Sequence, residues 1–249
     1  MKNHHKFAGF VFIITLLISL TPALAQVTFT NDQAQFLADN PSLLFQDFSA
    51  TKVQPGDGMQ CNVPVNSQSD DDCFSPGDIL PELQFFNLPV NPVGGLRVLG
   101  ENADGLGDPP GPILIASSEN DSFDVTVAPG VTRIGLTVGC YTQGDCNGSA
   151  DVTVFDIHEN PIGQTTVSLN DKFNQFLGIT SDVPICCVVL AHQAVEDQEH
   201  GNGVLNVWFG GNNASVPTLS EWGMIAAGAG LMLAGVFFAV RKRRATTGI

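Results

Sequence analysis

Two stretches of the 249-residue chain gather oxygen ligands around glycine: Asn102-Ala103-Asp104-Gly105-Leu106-Gly107-Asp108 and Asp145-Cys146-Asn147-Gly148-Ser149-Ala150-Asp151. Calcium takes carboxylate, amide and backbone oxygens from flexible loops of this kind. Neither stretch supplies the glutamate that closes a twelve-residue EF-hand loop, so an acidic, solvated turn is the simpler reading of each. Calcium is the one ion these side chains suit. No obligatory cofactor or defined metal-ligand set is expected.

Catalytic signatures are missing from the chain. His158, His192 and His200 fall in no H-E-x-x-H spacing, and there is no G-x-S-x-G elbow. His200 follows Glu196, Asp197 and Glu199 and reads as a solvated loop residue. Paired acids for glycoside hydrolysis must stand roughly 5 to 9.5 Å apart, which is a property of the fold and not of spacing along the chain. Sugar clefts also rest on aromatic platforms, and before Val216 there is one tyrosine, Tyr141, and one tryptophan, Trp208. The expectation is a protein that is not an enzyme. Trp208 and Tyr141 still offer ring faces to a sugar, so a carbohydrate-binding module is a rival reading to packing of Trp208 beside Phe209.

The elements that would position these residues are strands. Phe123, Val125 and Val127 alternate with Asp124 and Thr126; Ile134, Leu136 and Val138 alternate with Gly135 and Thr137; Leu205, Val207 and Phe209 alternate with Asn206 and Trp208. Period two with one apolar face is the pattern of a half-buried strand. Pro129-Gly130, Asn147-Gly148, Glu159-Asn160-Pro161 and Gly201-Asn202-Gly203 read as the turns between them. Ile185 to Leu190 is apolar on both faces, as in a central strand. One short helix is expected over Asp32 to Ala38, capped by Asn31. Many short strands with regular turns predict an all-β fold, an antiparallel jelly-roll-like β-sandwich.

All six cysteines lie between residues 61 and 187. In an exported chain an even count favours disulfides over metal thiolates. Local pairing is preferred for Cys61 with Cys73 and for Cys140 with Cys146. Adjacent side chains of a regular strand point to opposite faces, so Cys186 and Cys187 bond to each other only with a local distortion. They otherwise cross-link elsewhere or stay as small buried apolar groups.

Both ends of the chain read as export signals. Lys2 and Lys6, the apolar run Phe7 to Leu20 and Ala23-Leu24-Ala25 before Gln26 form a secretory signal peptide over residues 1–25, cleaved between Ala25 and Gln26. His4 and His5 fall inside it. At the other end, Met224 to Val240 is seventeen residues without a charge. With Trp222 and Gly223 this run is long enough to cross a hydrocarbon core of about 30 Å as one transmembrane helix. Trp222 suits the interface, and Arg241, Lys242, Arg243 and Arg244 orient the far end to the cytoplasm. Residues 245–249 form a tail. The intervening residues 26–215 suit one domain, the β-sandwich ectodomain. It holds four basic residues, Lys52, Arg97, Arg133 and Lys172, against 24 of the 25 acidic ones. Such a surface repels phosphate backbones and excludes nucleic acid as a partner.

Val216-Pro217-Thr218-Leu219, then Trp222-Gly223, the apolar span and the basic cluster together resemble the IPTL-CTERM protein-sorting domain, with Val216 in the place of the usual isoleucine. The resemblance covers about the last thirty residues, the sorting signal proper being 216–244. It implies recognition by an exosortase-type processing enzyme in the inner membrane of a Gram-negative bacterium. The ectodomain would then face the periplasm, be cut near the motif and be transferred to the cell surface. A second resemblance rests on Phe36, Phe45-Gln46-Asp47-Phe48, Val154-Phe155-Asp156, Glu159-Asn160-Pro161-Ile162-Gly163, Phe176-Leu177-Gly178-Ile179 and Asn206-Val207-Trp208-Phe209-Gly210. These are similar to the secreted sandwich domains of PEP-CTERM-type proteins, although Leu205 stands where those domains commonly carry aspartate. Together the readings imply a membrane-held surface protein with a structural or adhesive ectodomain. The rival readings are a displayed module for extracellular polysaccharide or calcium and a secreted glycoside hydrolase.

Overall fold

The computed structural model describes residues 25–87, 95–103, 111–116, 122–141, 147–192 and 201–211. Residues 1–24, Cys146, His200 and the whole sorting signal from Val216 to Arg244 lie outside them. Among the described residues no helix is long and apolar enough to cross a membrane.

The chain opens with β1 (Val27–Thr30), the helix α1 (Gln33–Asp39) and β2 (Leu44–Gln46). Short strands follow: β3 (Gly58–Cys61), β4 (Val65–Asn66), β5 (Leu83–Phe86), β6 (Leu96–Leu99), β7 (Ile113–Ala116) and β8 (Phe123–Val127). The longer ones come last, as β9 (Arg133–Tyr141), β10 (Asn147–Asp156), β11 (Pro161–Asn170), β12 (Gln175–Ser181), β13 (Ile185–His192) and β14 (Gly201–Gly210). They form two antiparallel sheets. One has eight strands in the order β1-β12-β9-β14-β7-β6-β3, with β2 also paired to β14; the other has six, in the order β11-β10-β13-β8-β5-β4. The fold is thus all-β with two sheets, as the period-two pattern predicts. From β7 onward the chain crosses between the sheets at every connection except the β10–β11 hairpin, giving β7-β14-β9-β12 in one and β8-β13-β10-β11 in the other.

Alternation decides what is buried. Phe123, Val125 and Val127 of β8 and Ile134, Leu136, Val138 and Cys140 of β9 turn into a shared core with Val152, Val188, Val204 and Val207. The rings of Phe74, Phe48, Phe85 and Phe123 form a chain through that core, with centroids 6.3, 5.6 and 6.0 Å apart in succession. Each fully buried phenylalanine contributes about 1.5–3 kcal/mol of transfer free energy.

Register shifts interrupt the pairing of β10 with β11, of β10 with β13 and of β14 with β9; the one in β14 corrects the sequence reading, and the one in β13 decides between readings it left open. Opposite β9, Val204 pairs with Val138 and Asn206 with Thr137, so Leu205 is an extra residue. Leu205 therefore leaves the face of Val207 and Phe209 and packs with Leu99, Ile113, Ile115 and Phe173 in a second cluster. In β13, Cys187 pairs with Phe155 and Ile185 with Asp156, so Cys186 is the extra residue. This is the local distortion an adjacent pair requires, and Cys186 and Cys187 are bonded to each other. β13 lies inside its sheet, between β10 and β8.

Two expected turns are strand instead. Asn147-Gly148 begins β10 and Gly201-Asn202-Gly203 begins β14. A Cβ on Gly203 would run into the Leu114 carbonyl and the Ile115 backbone, and one on Gly201 into the Ala116 carbonyl. These glycines let β14 lie close against β7. The turn at Gly130 holds, with φ of 98°, as does the one at Glu159, with φ of 62°. The helix spans Gln33–Asp39, and its cap is Asp32, whose side chain accepts from Gln35 N at 2.9 Å. Asn31 is one residue too early.

Candidate functional site

The outer face of the eight-stranded sheet carries a shelf of four aromatic rings. Trp208 on β14 sits in register between Gly135 on β9 and Phe45 on β2. Centroid distances are 5.1 Å from Phe45 to Trp208, 5.9 Å from Trp208 to Phe176 and 5.5 Å from Phe176 to Phe36. Glycine makes the shelf fit. A Cβ on Gly178 would stand 2.6 Å from Phe36 Cδ2, and one on Gly135 3.0 Å from Phe36 Cε1 and 3.1 Å from Phe176 Cζ. Helix α1 thereby lays Phe36 flat over two bare backbone positions and seals the inner end of the shelf. The outer end is open: Phe45 is 48% exposed, Leu44 beside it is 45% exposed and Trp208 is half-buried. Phe45 and Trp208 lie within 32° of parallel. Nearby, Thr137 pairs with Phe176 and Asn206, and its buried Oγ1 has no hydrogen-bond partner among the described residues. An open, near-coplanar ring pair suits the apolar face of a sugar or another flat ligand. Sequence marked Trp208 for this role. It gave no sign of Phe45, because the two meet only through the pairing of β2 with β14.

The outer face of the six-stranded sheet is polar and holds two shallow hollows. One of ≈ 430 Å³ is lined by Asp151, Thr153, Gln164 and Thr166, and one of ≈ 360 Å³ by residues including Gln84, Glu82 and Thr126. Each contains a single carboxylate among its lining residues. Between them stand Val189, Asp124 and Phe86, paired in one row across β13, β8 and β5. Asp124 is only 7% exposed. Burial pushes its carboxyl above the ordinary value, a bond with Ser122 pulls it partly back, and its Oδ1 has no hydrogen-bond partner among the described residues.

Several sequence-marked residues have structural tasks. Cys61 and Cys73 are disulfide-bonded, with Cα atoms 5.6 Å apart. The loop they close is organised by Asp71, which accepts from Asn62 N at 2.8 Å, Cys73 N at 2.9 Å and Phe74 N at 3.0 Å. Cys140 is also disulfide-bonded. Asp151 lies on a strand and accepts from Thr166 Oγ1 at 2.9 Å. Asn102 has a left-handed φ of 59° in a turn. Among the described residues no three His, Cys, Asp or Glu side chains converge as a metal site. His158 is exposed in the turn after β10, where Asp156 accepts from Asn160 N at 2.9 Å and His158 N at 2.8 Å. Those bonds, led by that from Asn160, hold the Asp156 carboxyl below its ordinary value.

No known protein family and no curated protein matches the chain. Among solved structures, an arabinose-bound GH51 α-L-arabinofuranosidase is similar over 55% of this chain and 24% of its own, at 10% identity and a TM-score of 0.33. The enzymatically active domain of tailspike protein 4 from bacteriophage CBA120 is similar over 51% of this chain and 18% of its own, at 12% identity and a TM-score of 0.23. The chain thus spans about a quarter or less of these proteins.

Proposed function

We propose that the chain is an exported bacterial surface protein: a signal peptide directs it out, a non-catalytic sandwich domain is displayed, and an IPTL-CTERM-like segment is read by an exosortase-type enzyme. The observation that carries export is the state of the cysteines. Among the described residues none is free, and disulfides persist in oxidising compartments outside the cytoplasm. The domain itself is a jelly roll on this reading. The orders β7-β14-β9-β12 and β8-β13-β10-β11 support it, being what two Greek keys wound through eight strands leave behind.

Intact-mass analysis and fractionation of the protein from its host, beside a variant with Pro217, Thr218 and Leu219 changed to alanine, test the sorting step. A mature form ending between Val216 and Gly223 that disappears in the variant supports processing. A full-length membrane form in both reduces the tail to a plain anchor.

The aromatic shelf favours a second reading, a carbohydrate-binding module presented at the surface to extracellular polysaccharide. Trp208→Ala should abolish retention on insoluble polysaccharide while leaving the folded spectrum intact. Absence of any ligand for the unaltered protein on a glycan array removes this reading. Calcium is tested apart: a melting temperature unchanged at millimolar calcium rejects it.

A further inference from the structure

We propose that β11 is a self-association edge, by which two copies of this chain pair antiparallel across a two-fold axis and join their six-stranded sheets. This inference is independent of the sorting signal and of the sugar-binding reading.

Among the described residues, five strands have an unpaired side. Four of them are short: β1 has four residues, β2 three, β3 four and β4 two. Short edges give a partner little to pair with. β11 has ten residues and bonds only to β10. Its first turn is covered, since Val27 and Phe29 of β1 pack against Gly163. From Gln164 to Leu169 no backbone group bonds to anything beyond β10 among the described residues. Natural edges of this length are usually blunted by charge, yet Pro161 to Asn170 contains no charged side chain. The rest of the domain is strongly acidic, so this neutral seam is where two copies approach without opposing carboxylates.

Charge at the two ends of the strand selects the register. Glu159 before β11 and Lys172 after it are both exposed, and neither has an ion-pair partner among the described residues. Within one chain a ten-residue strand separates them by about 30 Å or more. In an antiparallel pair centred on Thr166, residue 172 of one copy falls opposite residue 160 of the other. Each Lys172 is thereby brought beside the other copy's Glu159, at both ends of the seam. Gln164, Thr166 and Ser168 are exposed on one face, and this register sets Thr166 against Thr166 and Gln164 against Ser168, hydroxyl and amide pairs that suit directly opposed strands. The two Asp151 carboxylates stay three strands apart, about 14 Å, beyond the screening length at physiological salt.

The test is sedimentation of the purified full chain in detergent, with oxidative cross-linking read on a non-reducing gel. Thr166→Cys should give a covalent dimer, and Thr165→Cys, which faces the other side of the strand, should not. Lys172→Glu should weaken the dimer roughly tenfold or more, and adding Glu159→Lys should restore it. Thr166→Lys, which sets two cations face to face, should leave monomer. A unaltered chain that stays monomeric at about 100 µM, near the weak end of specific association, overturns the proposal. So does a dimer that Thr166→Cys fails to trap or that Thr166→Lys leaves intact, since it would use another surface.

Discussion

Gln26 N donates to Asp182 Oδ1 at 2.8 Å, and Asp182 N returns a bond to Gln26 O at 3.2 Å. The pair ties the start of β1 to the turn after β12. It also places the backbone nitrogen that follows Ala23-Leu24-Ala25 against a carboxylate. If the signal peptide is cleaved there, that nitrogen becomes an ammonium group and the bond an ion pair.

Asp182→Asn should therefore cost the mature chain a few tenths to about 1 kcal/mol, the range for exposed pairs, and should cost less once the amino-terminal glutamine is cyclised and uncharged. Thermal unfolding of mature protein before and after glutaminyl cyclase treatment checks both parts. Equal losses in the two states would mean that the new amino group contributes nothing.

Asp124 predicts a pH-dependent gain. Its raised carboxyl holds a proton more tightly in the folded chain than in the unfolded one. The favourable share of that linkage is complete below the ordinary value of 3.8 and is lost as pH rises through the raised value. Above that raised value the fold has to carry a buried carboxylate whose Oδ1 has no hydrogen-bond partner among the described residues. Asp124→Asn cannot ionise and should raise the melting temperature at pH 7 by roughly 2–4 °C, the equivalent of about 1 kcal/mol in a domain of this size. The gain should shrink as pH falls towards 3.8, and a gain independent of pH would contradict the assignment.

The shelf depends on two missing side chains. Gly178→Ala places a methyl group 2.6 Å from Phe36 Cδ2 and 2.7 Å from Thr30 Cγ2. Overpacking of this kind costs about 1–3 kcal/mol. Calorimetry should show that loss, together with changed near-ultraviolet dichroism from the Phe36, Phe176 and Trp208 rings. Gly77→Ala, where no atom lies within 4 Å but φ is 94°, should lower stability through its backbone alone and leave the ring spectrum unchanged.

The loop closed by Cys61 and Cys73 should depend on Asp71 even with its disulfide intact. Asp71→Ala removes the acceptor of three backbone N–H groups and should cost about 2 kcal/mol, read by chemical denaturation under oxidising conditions. A loss no larger than that of Asp72→Ala, on an exposed neighbour, would refute the assignment.

The strands whose two faces differ were legible in the sequence. Phe123, Val125 and Val127, or Ile134, Leu136 and Val138, face one core because nothing interrupts their alternation. Leu205 was misread because a bulge leaves no mark in composition: the extra residue is defined by Val138 and Thr137 on another strand. Glycines misled in the same way. At Gly130 the residue serves a turn, whereas at Gly201 and Gly203 it admits the backbone of β7, and the sequence looks alike in both cases. Local disulfide pairing was right for Cys61 and Cys73, whose loop is short. The bond between Cys186 and Cys187 stayed one of three readings because the bulge permitting it is set by β10. Of the shelf, sequence marked Trp208 and missed Phe45 and Phe176, which long-range pairing brings to it.

Thr28, Thr180, Arg133 and Gly210 pair in succession across β1, β12, β9 and β14. The first and last described strands thus begin and end in one row, three strand spacings or about 14 Å apart. A linker of only a few residues would join Gly211 to Gln26, so the domain is suited to circular permutation. New ends opened in the turn at His158 would leave both sheets, the core and the aromatic shelf intact, and would free the original termini from any part in defining the fold.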